Sequence, residues 1–341
     1  MLSSLGYTVL GLNIAPQHSS TRPNIQGLCG SGFVPLRFLQ LAWSSFWFFF
    51  TATPPQTAAI LWLYNTRAAE SLVAIMALAL RPRLGLVLQL EDLPSARAEN
   101  HGLAGRVDAL TTAFLSRRAD HIFAVSSTVA VAFHKLYPRH RSLITLLPPA
   151  LDPLLEQALA QRSEPFIGCI LEILYAGGYQ PDKGVADLID AFIRLPAHGF
   201  RLRLVGSAPQ ALIQQFKDHP AIVFTGMIPK NTLFALYAAA DVVVNPHRPI
   251  LHGDHVFPFK LVEIVASGAL PLTTAVPGSD SFDLPSACFF QGVDELATKL
   301  MEAPRIWASH RLRLQHAAVA CRARYSQEAI QKQLHVALSQ L

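Results

Sequence analysis

The chain has 341 residues, of which 51% are hydrophobic and 15% are charged, and its formal net charge is +5. This composition excludes an intrinsically disordered chain, and the length fits two domains of ordinary size. The Lys and Arg residues are scattered along the chain, which argues against a nucleic-acid-binding protein. A mild positive excess instead suits small anionic ligands or an anionic surface.

The four cysteines lie far apart and lack the paired spacing of a metal site, so we expect free thiols in a reducing cytoplasm. No basic region precedes an apolar stretch at the start, and no signal peptide is expected. The apolar stretch from Leu36 to Phe50 contains Arg37 and is shorter than the roughly 20 residues that a membrane span needs. It fits a buried helix of the first domain or a peripheral contact with the inner face of a membrane.

Short apolar runs alternate with helical patterns along the first half of the chain. Ser126 or Ser127 is expected to cap the last of its helices. The predicted strands are Thr8 to Ile14, Ile60 to Tyr64, Leu86 to Leu90, His121 to Val125 and Leu143 to Leu147. The predicted helices are Ala68 to Leu80, Val107 to Arg118 and Ser127 to Leu136.

The alternation restarts after Pro148. The predicted strands are Gly168 to Tyr175, Arg201 to Val205, Ile222 to Thr225, Asp241 to Asn245 and Leu270 to Thr273. The predicted helices are Gly184 to Leu195, Gln210 to Lys217, Lys230 to Ala239, Phe259 to Ala266 and Ser326 to Leu341. Apolar strands that alternate with helices predict parallel sheets covered by helices. We therefore predict an α/β protein with doubly wound domains over residues 1–155 and 165–322 and a closing helix over residues 323–341.

A glycine-rich turn follows the first strand of the second half, in the sequence Tyr175-Ala-Gly-Gly-Tyr-Gln-Pro-Asp-Lys-Gly184. Glycines let the backbone approach a ligand closely, and the helix start that follows offers free N–H groups to a phosphate. Lys183 adds a full positive charge at this point. The pattern also fits an ordinary turn with a solvated lysine, and it is not a P-loop, because the Gly-Lys-Ser/Thr order is absent.

Lys260 and Glu263 are three residues apart and should share one face of a helix. Glu263 lies between Val262 and Ile264, and a carboxylate in apolar surroundings needs a partner. The hydroxyls of a ribose would be suitable partners, and an ion pair with Lys260 alone is the other interpretation.

Three further motifs lie between these two: Val-Gly-Ser at residues 205–207, Phe-Thr-Gly at 224–226 and Leu-Tyr-Ala-Ala-Ala-Asp at 236–241. The order of all five resembles the C-terminal domain of glycosyltransferase family 4. The resemblance covers Ile173 to Gly278 most strongly. It implies a GT-B fold of two Rossmann-like domains that face a cleft. It also implies a nucleotide-sugar donor, such as a UDP- or GDP-sugar, and metal-independent transfer of a hexosyl unit with retention of configuration.

The resemblance also implies a set of donor-binding residues. Lys183 would bind the diphosphate, with Lys260 as the second cation, because Gly178 stands where the family often has an arginine. Glu263 would hold the ribose, and His255 stands where the family has an acid that faces the donor sugar. The complete predicted donor-binding set is Gly177, Gly178, Lys183, Gly206, His255, Phe257, Lys260 and Glu263.

Catalytic residues are less defined, and Glu91, Asp92 and His255 are the candidates. Glu91 stands where the family often has a histidine, so the pair Glu91-Asp92 could bind an acceptor hydroxyl or act as a base. A turn-capping Asp92 beside a solvated Glu91 is the other interpretation. Ser4 to Leu12 resembles the end of the first helix and the second strand of such enzymes. The expected first strand and glycine-rich loop are therefore missing, which predicts an N-terminally truncated first domain.

Other functions compete with this interpretation. The cluster of His247, His252, Asp254 and His255 contains metal-ligand residue types, but its spacing matches no standard zinc pattern, and we expect no metal or other cofactor. A loop of the donor site is the favoured interpretation of this cluster, and a plain surface loop is the other. A dehydrogenase is disfavoured, because the Gly-x-Gly-x-x-Gly fingerprint is absent. A non-catalytic nucleotide-sugar-binding protein of a polysaccharide assembly pathway is the alternative function. The acceptor is expected to be a glycan, a lipid-linked glycan or a small molecule.

Overall fold

The computed structural model describes residues 11–13, 25–27, 47, 59–93, 103–160, 162, 165–166, 168–248 and 259–339. The chain divides into two compact units between Pro148 and Pro149, and residues from Gln331 onward are grouped with the first unit. The helix at Pro153–Leu159 packs on the helix at Lys230–Ala239 and belongs to the second unit.

The first unit contains a parallel sheet whose described strands follow the order β3-β4-β5-β6, beside a parallel pair of short strands, β1 and β2. Its strands are β1 (Gly11–Asn13), β2 (Ile25–Gly27), β3 (Ile60–Tyr64), β4 (Gly85–Leu90), β5 (His121–Ala124) and β6 (Leu143–Leu146). Its helices are α1 (Ala68–Leu80), α2 (Leu103–Arg118) and α3 (Ser127–Leu136).

The connections of this sheet place its helices on one face. Strands β3 to β6 follow one another across the sheet, and parallel crossovers are right-handed, so α1, α2 and α3 lie on the same side. Leu86, Leu88 and Phe123 are fully buried in the core. Ser126 caps α3, because its hydroxyl accepts a hydrogen bond from the Val129 N–H at 3.2 Å, as the sequence predicted.

In the second unit, a parallel sheet has the strand order β11-β10-β7-β8-β9 among the described residues. Its strands are β7 (Leu171–Ala176), β8 (Phe200–Val205), β9 (Ile222–Gly226), β10 (Val242–Asn245) and β11 (Leu270–Thr273). Its helices include α4 (Pro153–Leu159), α5 (Val185–Phe192), α6 (Gln210–Phe216), α7 (Lys230–Ala239), α8 (Phe259–Ser267) and α9 (Gly292–Tyr325).

The strand order of the second unit reverses at β7. The chain runs from β7 outward through β8 to β9, and then returns to place β10 on the other side of β7. Such a reversal leaves a crevice at the carboxyl ends of the two strands on either side of it, where open α/β sheets bind ligands. The turns that follow β7 and β10 meet at this point.

Helix α9 ends at Tyr325, and α10 occupies Gln327–Leu338, within the helix that the sequence predicted over Ser326 to Leu341. The sequence analysis named no helix over α9, which contains Pro304, a residue that usually ends a helix. Among the described helices, none is both long and apolar enough to span a bilayer.

Candidate functional site

The glycine turn after β7 is closely packed. The Gly177 N–H donates to the Val205 carbonyl at 2.9 Å, and the Tyr175 hydroxyl donates to the Gly178 carbonyl at 2.5 Å. A Cβ on Gly177 would overlap the Lys260 ammonium and lie 2.8 Å from the Tyr175 hydroxyl. Gly206 has φ +134°, and a Cβ there would overlap the Gly177 carbonyl oxygen. These close approaches explain why glycine occupies both positions.

Lys183 lies in a short 3-10 turn, Pro181–Lys183, and α5 begins at Val185 instead of the predicted Gly184. Its ammonium is 2.7 Å from the Asp182 carboxylate and 3.0 Å from His247 Nε2. Gly184 has φ +65°, and a Cβ there would overlap the Pro246 carbonyl. The turn after β7 therefore packs directly on the turn after β10.

His247 accepts a hydrogen bond from Lys183. Its Nδ1 is 3.0 Å from the Arg248 carbonyl, an acceptor, so the ring proton is assigned to Nδ1 and Nε2 is the acceptor for the ammonium. Burial is the main cause that lowers the pKa of His247, and the charge of Lys183 acts in the same direction. The ring is consequently neutral and fixes the position of Lys183.

Lys260 is a second cation at this turn. Its Nζ lies 5.9 Å from the centroid of the Tyr175 ring, which gives it a cation–π contact. Burial lowers the pKa of Lys260, and the nearby charge of Lys183 lowers it further. A bound anion beside Lys260 would favour the charged form of its ammonium group.

Glu263 lies one turn further along α8 and is half-buried. Burial raises the pKa of its carboxyl, while the charges of Lys260 and Lys230 oppose that rise. The hydroxyl of Tyr237, on α7, donates a hydrogen bond to this carboxylate. Tyr237 is fully buried, so the carboxylate is held in place by a rigid partner. A carboxylate fixed in this way can accept hydrogen bonds from two neighbouring hydroxyls of a ligand.

Asp182 and Tyr179 complete the described part of the site. Burial alone would raise the pKa of Asp182, but the hydrogen bond and charge of Lys183 hold it below its ordinary value. The Tyr179 hydroxyl is shielded from solvent and has no hydrogen-bond partner within the described ranges. Burial raises the pKa of Tyr179 to about 12, so this hydroxyl is a neutral donor.

Of the predicted donor-binding residues, Gly177, Gly178, Lys183, Gly206, Lys260 and Glu263 all belong to the second unit, at or beside the turn that follows β7. His255 and Phe257 lie outside the described residues, as do His252 and Asp254. No group of three His, Cys, Asp or Glu side chains suitable for a metal ion occurs in the part of the chain that the structure describes.

The predicted acidic pair lies in the first unit, after β4. The backbone N–H groups of Glu91 and Asp92 donate to the Asn65 side-chain oxygen at 2.9 and 3.4 Å. Burial raises the pKa of Glu91, and a hydrogen bond from the Tyr64 hydroxyl opposes that rise. Asn65 is held at φ +55°, a conformation that asparagine tolerates better than most residues. The pair is therefore a structured turn beside the end of β3.

Sequence reasoning did not assign His247, Tyr237, Asp182 or Tyr175 to the donor site. His247 was predicted only as part of a histidine-rich loop, and its contact with Lys183 was not; it lies two residues after the end of β10. Tyr237 lies inside the Leu-Tyr-Ala-Ala-Ala-Asp motif, and its burial on α7 gives it a role that the motif alone did not reveal.

Part of the chain is similar to a known protein family. Residues 171–303 match the family model described as glycosyl transferases group 1. The matched range includes both glycine turns, Lys183, Lys260 and Glu263. Glycogen synthase of Mycobacterium tuberculosis is 29% identical over 217 residues, which cover 58% of this chain and 50% of that protein. The match therefore spans about half the length of this curated relative.

Solved structures share the fold of the chain. Sucrose-phosphate synthase from Thermosynechococcus elongatus is 18% identical with a TM-score of 0.73, over 99% of this chain and 90% of that one. HepE from Anabaena, in complex with UDP and glucose, is 17% identical with a TM-score of 0.64, over 93% of this chain and 86% of that one. These likenesses confirm the predicted GT-B class, an α/β fold with Rossmann-like parallel sheets.

Proposed function

We propose that the protein is a retaining glycosyltransferase that moves a hexosyl unit from a nucleotide-sugar donor to an acceptor hydroxyl. The observation that carries the proposal is the meeting of Lys183 and His247 across the point where the strand order reverses, with Lys260 beside the same glycine turn. An anionic ligand suits this position, because two ammonium groups lie at the same glycine turn, at the point where the strand order reverses.

Each donor group has a candidate partner. Lys183 and Lys260 bind the diphosphate, with Gly177 and Gly178 allowing close approach of the backbone. Glu263 accepts hydrogen bonds from the ribose hydroxyls, in a position fixed by Tyr237. His255 and the backbone N–H of Phe257 are proposed to contact the donor sugar, as the resemblance to family 4 suggests.

The bond changes follow from this arrangement. The bond between the anomeric carbon and the diphosphate oxygen breaks, and Lys183 with Lys260 stabilises the negative charge that develops on the departing diphosphate. The acceptor oxygen attaches to the same face of the sugar, and its proton passes to an oxygen of the leaving phosphate. Glu91 is proposed to bind the acceptor hydroxyl, with Asp92 beside it on the same turn.

The chemical classes of donor and acceptor are part of the proposal. A UDP-sugar is favoured over a GDP-sugar by the likeness to HepE, whose structure holds UDP and glucose. The acceptor is proposed to be a glycan or a lipid-linked glycan. A cytoplasmic location agrees with Cys169, Cys288 and Cys321, which are free thiols.

The direct test is to incubate the protein with UDP-glucose, GDP-mannose and ADP-glucose separately, each with a mixture of oligosaccharide and lipid-linked glycan acceptors, and to measure the released nucleoside diphosphate. The anomeric configuration of the sugar product is then determined by NMR. Release from one donor, with the configuration retained, supports the proposal. Tight binding of a donor without release favours the non-catalytic nucleotide-sugar-binding alternative. A folded sample that neither binds nor cleaves any donor contradicts both.

A further inference from the structure

Three connections of the first unit meet at one edge of its sheet. Because the strands are parallel, the segments that follow α1, α2 and α3 all reach the amino ends of β4, β5 and β6. The Arg118 guanidinium donates to the Pro82 carbonyl at 2.7 Å and to the Leu84 carbonyl at 3.3 Å. The Ser142 hydroxyl donates to the Ala119 carbonyl. These contacts join the three connections into one surface.

This surface carries a concentration of positive charge. Its exposed cations are Arg83, Arg117, Lys135, Arg139 and Arg141, and we call it the basic edge. None of the five forms an ion pair with a carboxylate within residues 59–93 and 103–160. The carboxylate of Asp120, at the same edge, is already engaged by Arg118 at 3.6 Å and by the Leu86 N–H at 2.7 Å.

Helix stability explains only part of this charge. Cations in the last turn of a helix interact favourably with its dipole, which accounts for Arg117 on α2 and Lys135 on α3. Arg83, Arg139 and Arg141 lie beyond the helix ends, in the connections themselves, where the effect of the dipole has fallen off. Their presence on this edge needs another explanation.

Exposed leucines lie among these cations. Leu80 is the last residue of α1, Leu136 is the last residue of α3, and Leu143 is the first residue of β6. Their exposed fractions are 55%, 47% and 60%. A surface that mixes arginines with exposed leucines can hold anionic headgroups while its apolar side chains enter the boundary of the acyl chains.

We propose that the basic edge docks on a bilayer surface that contains anionic phospholipids. The cations bind the headgroup phosphates, and Leu80, Leu136 and Leu143 insert between the lipids. A soluble polyanion would use the cations but gain nothing from the leucines. The edge lies in the first unit, whereas the donor-site residues lie in the second, so this inference does not rest on the proposed function.

The test is co-sedimentation of the full chain with vesicles of phosphatidylcholine, alone or mixed with phosphatidylglycerol. Each basic residue near an anionic surface contributes about a factor of five, so R117Q/R139Q/R141Q should weaken binding to the anionic vesicles roughly 100-fold. The matched control is K217Q/R305Q/K332Q, which removes three exposed cations elsewhere and should bind like the wild type. Binding should also weaken at high salt.

The leucines distinguish a bilayer surface from a soluble polyanion as the partner of the basic edge. The variant L136S/L143S keeps every charge and should lose roughly tenfold in vesicle binding. Three results would overturn the proposal: equal binding to neutral and anionic vesicles, equal losses in the basic-edge variant and its control, or wild-type vesicle binding by L136S/L143S. If R117Q/R139Q/R141Q then lost affinity for heparin, the partner would be a polyanion instead. Thermal melting of each variant checks that the fold is intact.

Discussion

The two units of the molecule concentrate their cations at opposite edges of their sheets. In the second unit, Lys183, Lys260 and Glu263 gather near the carboxyl end of β7, where the strand order reverses. In the first unit, the exposed cations gather at the amino ends of β4, β5 and β6, and strands β3 to β6 run across the sheet without a reversal. A reversal opens a crevice for a small ligand, whereas an edge built from connections presents a broad surface.

The largest effect is expected when the central charge of the donor site is removed. In Lys183→Met, kcat/KM for release of nucleoside diphosphate should fall roughly 100- to 1,000-fold, because the variant lacks a charge that stabilises the leaving group. Steady-state kinetics measures this fall in kcat/KM. Lys217→Met, which removes an exposed lysine of the same unit, is the control and should leave the rate unchanged. Equal losses of kcat/KM in both variants would show that Lys183 has no specific role in the donor site.

A smaller effect is expected at the partner of Glu263. In Tyr237→Phe, the carboxylate loses a buried hydrogen bond, and KM for the donor should rise about tenfold with little change in kcat. Measurement of both constants separates this from a loss of transition-state stabilisation. An unchanged KM would mean that Tyr237 does not position Glu263 for the donor.

The close packing of the glycine turn allows the role of Lys260 to be tested by a substitution at Gly177. In Gly177→Ala, the added Cβ would displace the Lys260 ammonium, and calorimetric affinity for UDP should fall about tenfold. Gly168→Ala is the matched control, because the nearest atom to its added Cβ lies at 3.6 Å. Equal affinity in the two variants would show that Lys260 does not contact the diphosphate.

The smallest effect concerns stability and pH in both units. Burial raises the pKa of Glu91 and of Glu263 in the folded state, so each contributes stability that is fully present below the unfolded pKa and lost as pH rises through the folded pKa. Glu91→Gln and Glu263→Gln should therefore melt at a higher temperature than the wild type at neutral pH. The difference should vanish in acid. Thermal melts at acidic and neutral pH measure this difference. Lower melting temperatures of the two variants than of the wild type at neutral pH would contradict the account.

The sequence predicted most of the elements that hold the site. Helices α1, α3 and α7 and strands β3 and β11 have the predicted bounds, because each has a clear apolar pattern between turn signals. Helix α9 was not predicted, since Pro304 interrupts its pattern and tertiary packing overrides that signal. The contact between Lys183 and His247 joins residues 64 positions apart, and only the strand order brings them together.

The basic edge, like the contact between Lys183 and His247, could not be predicted from the sequence. Its cations are scattered in sequence from Arg83 to Arg141, and no run of charge marks them. They meet only because parallel strands bring successive helix ends to one side of the sheet. The predicted contact with a membrane rested on the stretch from Leu36 to Phe50, of which the structure describes Trp47 alone. The sequence could indicate an affinity for anions but not the surface that carries it.

Calorimetric titration of UDP into the wild type and into Lys183→Met/Lys260→Met tests the central claim most directly. The account predicts a single site in the wild type and a loss of at least roughly 100-fold in the double variant, because both cations that would face the diphosphate are gone. Thermal melting must show that the variant is folded. Equal affinity of the two proteins for UDP would contradict the donor site at the glycine turn of the second unit.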